Sequence, residues 1–184
     1  MLRSPWLVLL LDGRSGVGKT SLAQRIAAEY DAQILSLDDL YPGWSGLAAG
    51  SLAAADALSA GHYRAYDWHQ QEYASFSIKL DQSRALIIEG CGALTQTNLD
   101  AANEWAVTHA QQTNQPDERR QRTKTLSHVR SVWLDADPNE RRRRALQRDG
   151  AVFAPHWETW AAQEHTFFAQ HRPWQLASIV LSTQ

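Results

Sequence analysis

One stretch constrains the chain more than any other: LLLDGRSGVGKTSL, from Leu9 to Leu22. An apolar run ends at Asp12, a glycine-rich turn follows, and Lys19, Thr20 and Ser21 open a segment with Leu22, Ala23, Ile26 and Ala27 at helical spacing. A short unbroken apolar run bounded by turn residues predicts a strand buried on both faces, as in a parallel sheet. The turn, Gly13-Arg14-Ser15-Gly16-Val17-Gly18-Lys19-Thr20, satisfies G-x-x-x-x-G-K-[ST] in full. Its glycines let backbone amides crowd around an anion, and the start of the next helix adds a positive dipole end. Gly13, Ser15, Gly16, Val17, Gly18, Lys19, Thr20 and Ser21 are therefore expected to cradle the phosphates of a nucleoside triphosphate. Lys19 is expected to reach the β- and γ-phosphates, and the Thr20 hydroxyl to hold Mg²⁺.

The rest of the chain alternates between strand and helix patterns. Strands are expected at Leu7–Leu11, Ile34–Leu37, Ala85–Glu89, Ser131–Leu134 and Ser178–Leu181. Helices are expected over Lys19–Tyr30, over Leu47–Ala60 with Gly61 as its stop, over the arginine-laden Glu140–Asp149, and after Pro155. That last helix places Trp157, Trp160, Ala161, Glu164 and Phe168 at helical spacing. The alternation calls for a three-layer α/β sandwich around a central parallel sheet. His62–Leu80 is aromatic and gives no clear element. Ala101–Lys124 is rich in Gln, Asn, Arg and Thr, and reads as a helix followed by an exposed loop within a polar insert at about 97–125.

With 184 residues the chain is read as one domain, residues 1–184. The formal net charge of −2 creates no field that would favour nucleic acid or an acidic membrane. A single cysteine, Cys91, excludes an intrachain disulfide framework and fits a reducing compartment. Trp6–Leu11 is too short to span a bilayer and lacks a signal-peptide cleavage site, so a cytoplasmic protein is expected. The seven histidines, His109, His165 and His171 among them, show no metal-ligand spacing.

A loop that holds triphosphate does not by itself separate kinases from switches or motors. No Asn-Lys-x-Asp base-reading motif of a GTPase occurs, and a transporter-type or AAA-type ATPase calls for a longer domain with further signatures. LDGRSGVGKTSLA, LDDLYPGW, YRAYDW, LIIEG and ERRRRALQRDG fall in an order that resembles the uridine kinase-like branch of P-loop kinases, which includes phosphoribulokinase and pantothenate kinase. The C-terminal PHWETWAAQEHTFF and ASIVL are similar to its closing helix and strand. The resemblance covers most of the chain outside Thr97–Thr125.

That resemblance implies the nucleoside/nucleotide kinase-like fold and gives several residues expected roles. Asp38, after the second strand, corresponds to an aspartate that faces the acceptor hydroxyl as base or Mg²⁺ partner, with Asp39 as the alternative bearer. Glu89 ends a buried strand at the carboxyl edge of the sheet, where a carboxylate can hold Mg²⁺ or its water. Arg141, Arg144 and Arg148 share one face of a helix that corresponds to a lid at about 139–150. Arg141 and Arg144 are expected at the transferring phosphate, and Arg148 at the base. Tyr41, Arg64, Tyr66 and Asp67, on two aromatic loops, are expected to meet the acceptor. Cys91 reads as a small buried thiol with no charge beside it.

The expectation is an ATP- and Mg²⁺-dependent kinase acting on a hydroxyl of a small nucleoside-like or sugar-like metabolite. An ATP-binding switch without transfer, or slow hydrolysis without an acceptor, are the other readings. Arg119–Lys124 could extend a basic patch, but net acidity and the lack of a nucleic-acid module argue against nucleic acid. The polar insert leaves a protein partner open.

Overall fold

The structure, a computed structural model, describes residue 4 and residues 6–112 and 128–182, without the side chains of 109–112. Five strands form one parallel sheet: β1 (Val8–Gly13), β2 (Gln33–Ser36), β7 (Leu86–Glu89), β8 (Val129–Asp135) and β9 (Ile179–Ser182), in the order β2-β7-β1-β8-β9. Each strand expected from the sequence is present, shifted by a residue or two at its ends. Alternation along the central strands divides the core. Val8 and Leu10 of β1, Leu35 of β2, and Leu86 and Ile88 of β7 point to one face. Leu9, Leu11, Ile87, Val132 and Leu134 point to the other, where α1 (Lys19–Tyr30) covers them with Ala23, Leu22 and Ile26.

The first face is covered by α2 (Leu47–Ala60), α3 (Gln96–Gln112) and α5 (Trp157–His171), completing three layers. Gly61 ends α2 in the left-handed conformation at φ 73°, donating its amide to Ala57, as a C-terminal glycine should. The polar insert expected from residue 97 begins as α3, whose Ala102, Trp105 and Ala106 are buried in the core. That helix is thus part of the sandwich rather than an addition to it. Residues 113–127, with the basic stretch Arg119–Lys124, and the His109 side chain lie outside the described residues.

Between α2 and β7 the chain makes two nested antiparallel pairs of two-residue strands: β3 (His62–Tyr63) with β6 (Ile78–Lys79), and β4 (Tyr66–Asp67) with β5 (Glu72–Tyr73). The segment that shows no pattern in sequence is this short hairpin arm. The helix α4 (Pro138–Phe153) starts two residues before the expected Glu140, with Pro138 in the first turn and the Asp137 carboxylate accepting from the amides of Asn139 and Glu140. It is kinked at Gly150, whose φ of 51° and ψ of −128° are not helical. A 3₁₀ turn at Ala154–His156 leads into α5, and the four-residue α6 (Pro173–Leu176) precedes β9.

Candidate active site

The glycine-rich loop joins β1 to α1 at the carboxyl edge of the sheet, where open α/β folds bind ligands. Gly16 is required twice over. Its φ is +80°, and a Cβ there would come within 2.0 Å of the Arg141 carbonyl oxygen, because the first turn of α4 lies directly on the loop. Lys19 is buried and folds back along the loop, donating to the carbonyls of Gly13 (2.9 Å) and Arg14 (3.3 Å), with Cys91 Sγ at 3.5 Å. Burial alone would lower its pKa, but Cys91, Glu89, Glu164 and Asp12 around it outweigh that and raise it, so the ammonium keeps its charge.

Two buried carboxylates that sequence analysis did not single out as functional grip this loop. Asp12 accepts from the amides of Gly13 (2.6 Å), Gly92 (3.0 Å) and Leu94 (2.8 Å), and so ties β1 to the turn after β7. Burial pushes its carboxyl up to about 7 against the pull of those amides and of Lys19. Glu164, from α5, accepts from the Ser15 amide at 2.7 Å, from Trp160 Nε1 at 3.2 Å and from Cys91 Sγ at 3.3 Å. It also faces the guanidinium groups of Arg14 (3.7 Å) and Arg141 (4.0 Å). The signals were present: an acid ends the first buried strand, and a glutamate occupies the apolar face of a helix.

Beside the loop lies a set of hard oxygen donors. Thr20 Oγ1 donates to the Glu89 carboxylate at 3.3 Å, and Ser36 Oγ donates to the same group at 2.8 Å. Burial raises the Glu89 carboxyl above its ordinary range, and Lys19 pulls it back. Asp38 stands in the 3₁₀ turn after β2, open to the cleft but flanked by its walls. Desolvation raises its pKa, Lys19 and Arg148 lower it, and Asp149 raises it. Asp39 turns away and meets Tyr63 instead. Among the described residues no cluster of three or more His, Cys, Asp or Glu side chains could hold a metal unaided. The donor set nevertheless fits Mg²⁺, which is usually held by one or two carboxylates together with substrate phosphates.

The arginines of α4 separate. Arg141 is buried, donates to the Ser15 carbonyl at 3.2 Å and buttresses the loop from behind, rather than facing the cleft. Arg144 donates to Glu140 one turn earlier and is likewise not part of the cleft lining. Arg148 reaches the cleft, held by both oxygens of Asp149 at 2.8 and 2.6 Å. The face shared by the three on the helix is therefore split by what it packs against.

A cleft of about 520 Å³ joins these groups: it is lined by Ser15, Gly16, Lys19 and Thr20 of the loop, by Asp38 and Glu89, and by Arg148 and Asp149 of α4. Its remaining wall is aromatic, built from Tyr41, Trp44, Trp68, Phe153 and Trp160. Of the residues expected at the acceptor, only Tyr41 lines the cleft; its hydroxyl is spent on the Cys91 carbonyl at 2.8 Å. Arg64 bonds the Ala74 and Tyr73 carbonyls within the hairpin arm, and Asp67 accepts from the amides of His69 and Gln70. Tyr66 packs edge-on against Trp68 and Tyr73. These three serve the arm's own turn, and the neighbouring Trp68 is what the arm presents to the cleft. Cys91 also differs from its sequence reading: it is buried as expected, but Lys19 and Glu164 stand beside it, and burial pushes its thiol up to about 12.

Residues 8–169 match the family model described as an AAA domain. The chain belongs to that family. The description shares its name with the ATPase class set aside on length, yet the match spans most of this short chain and needs no longer domain. No curated protein matches the chain in sequence. In fold, it is similar to a structure described as a possible uridine kinase from Bacillus stearothermophilus: 17% identity, 98% of this chain and 91% of that chain covered, TM-score 0.54. It is also similar to a gluconokinase from Sinorhizobium meliloti 1021: 16% identity, 98% and 83% covered, TM-score 0.51. The sandwich with its central parallel sheet is thus the fold of small P-loop kinases. Among the described residues no helix is long and apolar enough to cross a membrane.

Proposed function

We propose that the protein transfers the γ-phosphoryl group of ATP to a hydroxyl of a small nucleoside-like or sugar-like metabolite. One observation carries the reading: the phosphate loop and the Asp38 carboxylate line the same cleft, with room between them for an acceptor. The loop amides and Lys19 bind the triphosphate and fix its terminal group. Asp38 orients the acceptor hydroxyl and takes its proton as the new O–P bond forms and the bond to ADP breaks. Burial raises its pKa above the ordinary carboxylate range, which makes it a better proton acceptor than a solvated aspartate. Arg148 faces charge on the transferring group, while Arg141 positions the loop through Ser15. Thr20 and Glu89 would hold Mg²⁺, which supplies charge neutralisation at the phosphates when bound. The aromatic wall excludes water and so limits wasteful hydrolysis. The kinase folds found for similar structures support the reading at the level of architecture.

The test is ADP formation with ATP, Mg²⁺ and a panel of alcohols. An acceptor-dependent rate well above that in plain buffer is expected. ATP binding with no acceptor-dependent ADP from any alcohol would reduce the protein to a nucleotide holder.

A further inference from the structure

We infer that Asp12 is a positioning residue for the metal side of the reaction: by gripping the turn after β7 it fixes where the Glu89 carboxylate stands relative to Thr20 and the phosphate loop. This rests on the phosphotransfer reading of the cleft and adds to it a fully buried residue that does not line the cleft. The first support is how the turn is held. β7 ends at Glu89, and residues 90–95 leave the sheet with no strand or helix of their own. Gly90 and Gly92 take positive φ of 145° and 86°, which puts two joints directly behind the carboxylate. Side chains from four places take up the turn's backbone groups. Asp12 accepts from the amides of Gly92 at 3.0 Å and Leu94 at 2.8 Å. The Tyr41 hydroxyl donates to the Cys91 carbonyl, Ser51 Oγ to that of Gly92, and Asn98 Nδ2 to those of Gly92 and Ala93. Of these four side chains only Asp12 accepts, so the two amides depend on it.

The second support is what the same carboxylate reaches on its other side. Asp12 Oδ1, which takes the Gly92 amide, also accepts from Gly13 at 2.6 Å, the first residue of the phosphate loop. One oxygen thus joins the start of the loop to the turn three residues past Glu89. Glu89 in turn accepts from Thr20 Oγ1, seven residues further along that loop, which closes a circuit through Gly13, Asp12, Gly92, Glu89 and Thr20. The turn also rests on the segment that carries Asp38, since a Cβ at Gly90 would come within 2.5 Å of Leu37 Cβ. Loosening it at Gly92 and Leu94 frees the end of β7 that presents the metal carboxylate.

The third support is the kind of group that stands there. A fully buried carboxylate is unfavourable, and burial pushes this one up to about 7. Stability alone favours an uncharged side chain at such a position. Asparagine has nearly the same shape, but it would turn an N–H toward one of the three amides. Only a group that accepts on both oxygens gathers Gly13, Gly92 and Leu94 at one point. The carboxylate therefore serves geometry, and the geometry it sets is that of the loop against the metal carboxylate.

The experiment measures, by calorimetry on the whole protein, the affinity for a non-hydrolysable ATP analogue with and without Mg²⁺, alongside ADP formation with ATP and the alcohol panel. The ratio of the two affinities is the Mg²⁺ enhancement. Asp12→Asn lowers it about tenfold or more, as groups one step behind a metal ligand do, and leaves the Mg²⁺-free affinity within about threefold. Val8→Ala, a buried change at the amino end of β1, controls for lost stability and keeps the enhancement within about twofold. Glu89→Gln lowers the enhancement as well, and adding Asp12→Asn to it costs no more than about a further twofold, because both act through one carboxylate. An enhancement unchanged by Asp12→Asn, or single losses that simply multiply in the double variant, overturns the inference. Should Asp12→Asn fail to fold, Asn98→Ala unties the same turn from its carbonyl side: a drop of about threefold or more upholds the assignment, and no drop overturns it. Loss of the enhancement in Asp12→Asn with no acceptor-dependent ADP from the wild type would sink phosphotransfer and leave the positioning role standing. Acceptor-dependent ADP with an enhancement indifferent to Asp12→Asn would do the reverse.

Discussion

The two sides of the cleft are built on opposite plans. The phosphate side is backbone, clamped by buried charge: Asp12 holds three amides, Glu164 holds a fourth and faces two arginines, and a methyl at Gly16 would overlap α4. The proposed acceptor side is side chain, made of aromatic rings carried by the loop before α2 (Tyr41, Trp44), by the hairpin arm (Trp68), by the kinked end of α4 (Phe153) and by α5 (Trp160). The first plan suits a ligand whose shape never changes, since a triphosphate tail needs a rigid ring of donors. The second suits a ligand that varies, since ring faces are tolerant and short arms are cheap to reshape. Rigidity and its energetic cost should accordingly be concentrated on the phosphate side.

Substitutions can break that contrast, and the largest effect on stability should come from Glu164. Glu164→Ala strips a buried partner from the Ser15 amide, Trp160, Arg14 and Arg141 at once. Removing one partner of a buried ion pair typically costs about 3–5 kcal/mol, and chemical denaturation should read a loss of that order. A loss below about 1 kcal/mol would mean that the loop is not clamped from α5.

Asp12→Asn comes next, because it turns a side-chain N–H toward backbone amides that have lost an acceptor, at roughly 1–3 kcal/mol for an unsatisfied buried group. It also carries a pH signature. The folded-state carboxyl is raised from 3.8 to about 7, so its contribution is fully present below about pH 4 and is lost as pH rises through about 7. The stability gap between wild type and Asp12→Asn should therefore shrink as pH climbs from 4 to 7. A gap that widens over this range would contradict the sign.

On the acceptor side the expected costs are smaller. Gly150→Ala places a side chain at φ 51°, ψ −128°, a region that non-glycine residues avoid, although nothing lies within 4 Å of the added Cβ. Roughly 1 kcal/mol of strain is expected, at the low end for such positions. Because Arg148 and Asp149 lie before the kink and Val152 and Phe153 after it, the acceptor KM should rise more than the KM for ATP. Equal rises in both would show that the kink serves the phosphate side too.

What could be read from the sequence follows the same division. The loop, the five strands and the helices α1 and α2 are legible because each rests on local pattern: glycine spacing, apolar runs, a terminal glycine. Asp12 and Glu164 escape because their work is to bond amides that are near only in the folded chain. The aromatic segments YPGW and YRAYDW point to the right loops, yet Arg64, Tyr66 and Asp67 turn into the arm while Trp44 and Trp68 line the cleft. Trp68 stands in the turn just after β4 and Trp44 in the loop before α2, and which way a loop or turn residue points is set by tertiary contacts that leave no local signal. The arginine helix makes the same point: spacing puts 141, 144 and 148 on one face, but only the contact with the loop decides that Arg141 is buried and Arg148 meets the cleft.

The central claim is that a triphosphate on the loop and an acceptor beside Asp38 share one cleft for a direct transfer. Its most direct test is Asp38→Asn, with acceptor-dependent ADP formation and ATP affinity measured on the same preparation. The account predicts that kcat falls by about 10²–10⁴, the usual loss when a positioned base is removed, while ATP affinity changes by no more than about threefold. An unchanged kcat, or loss of ATP binding in step with activity, would contradict it.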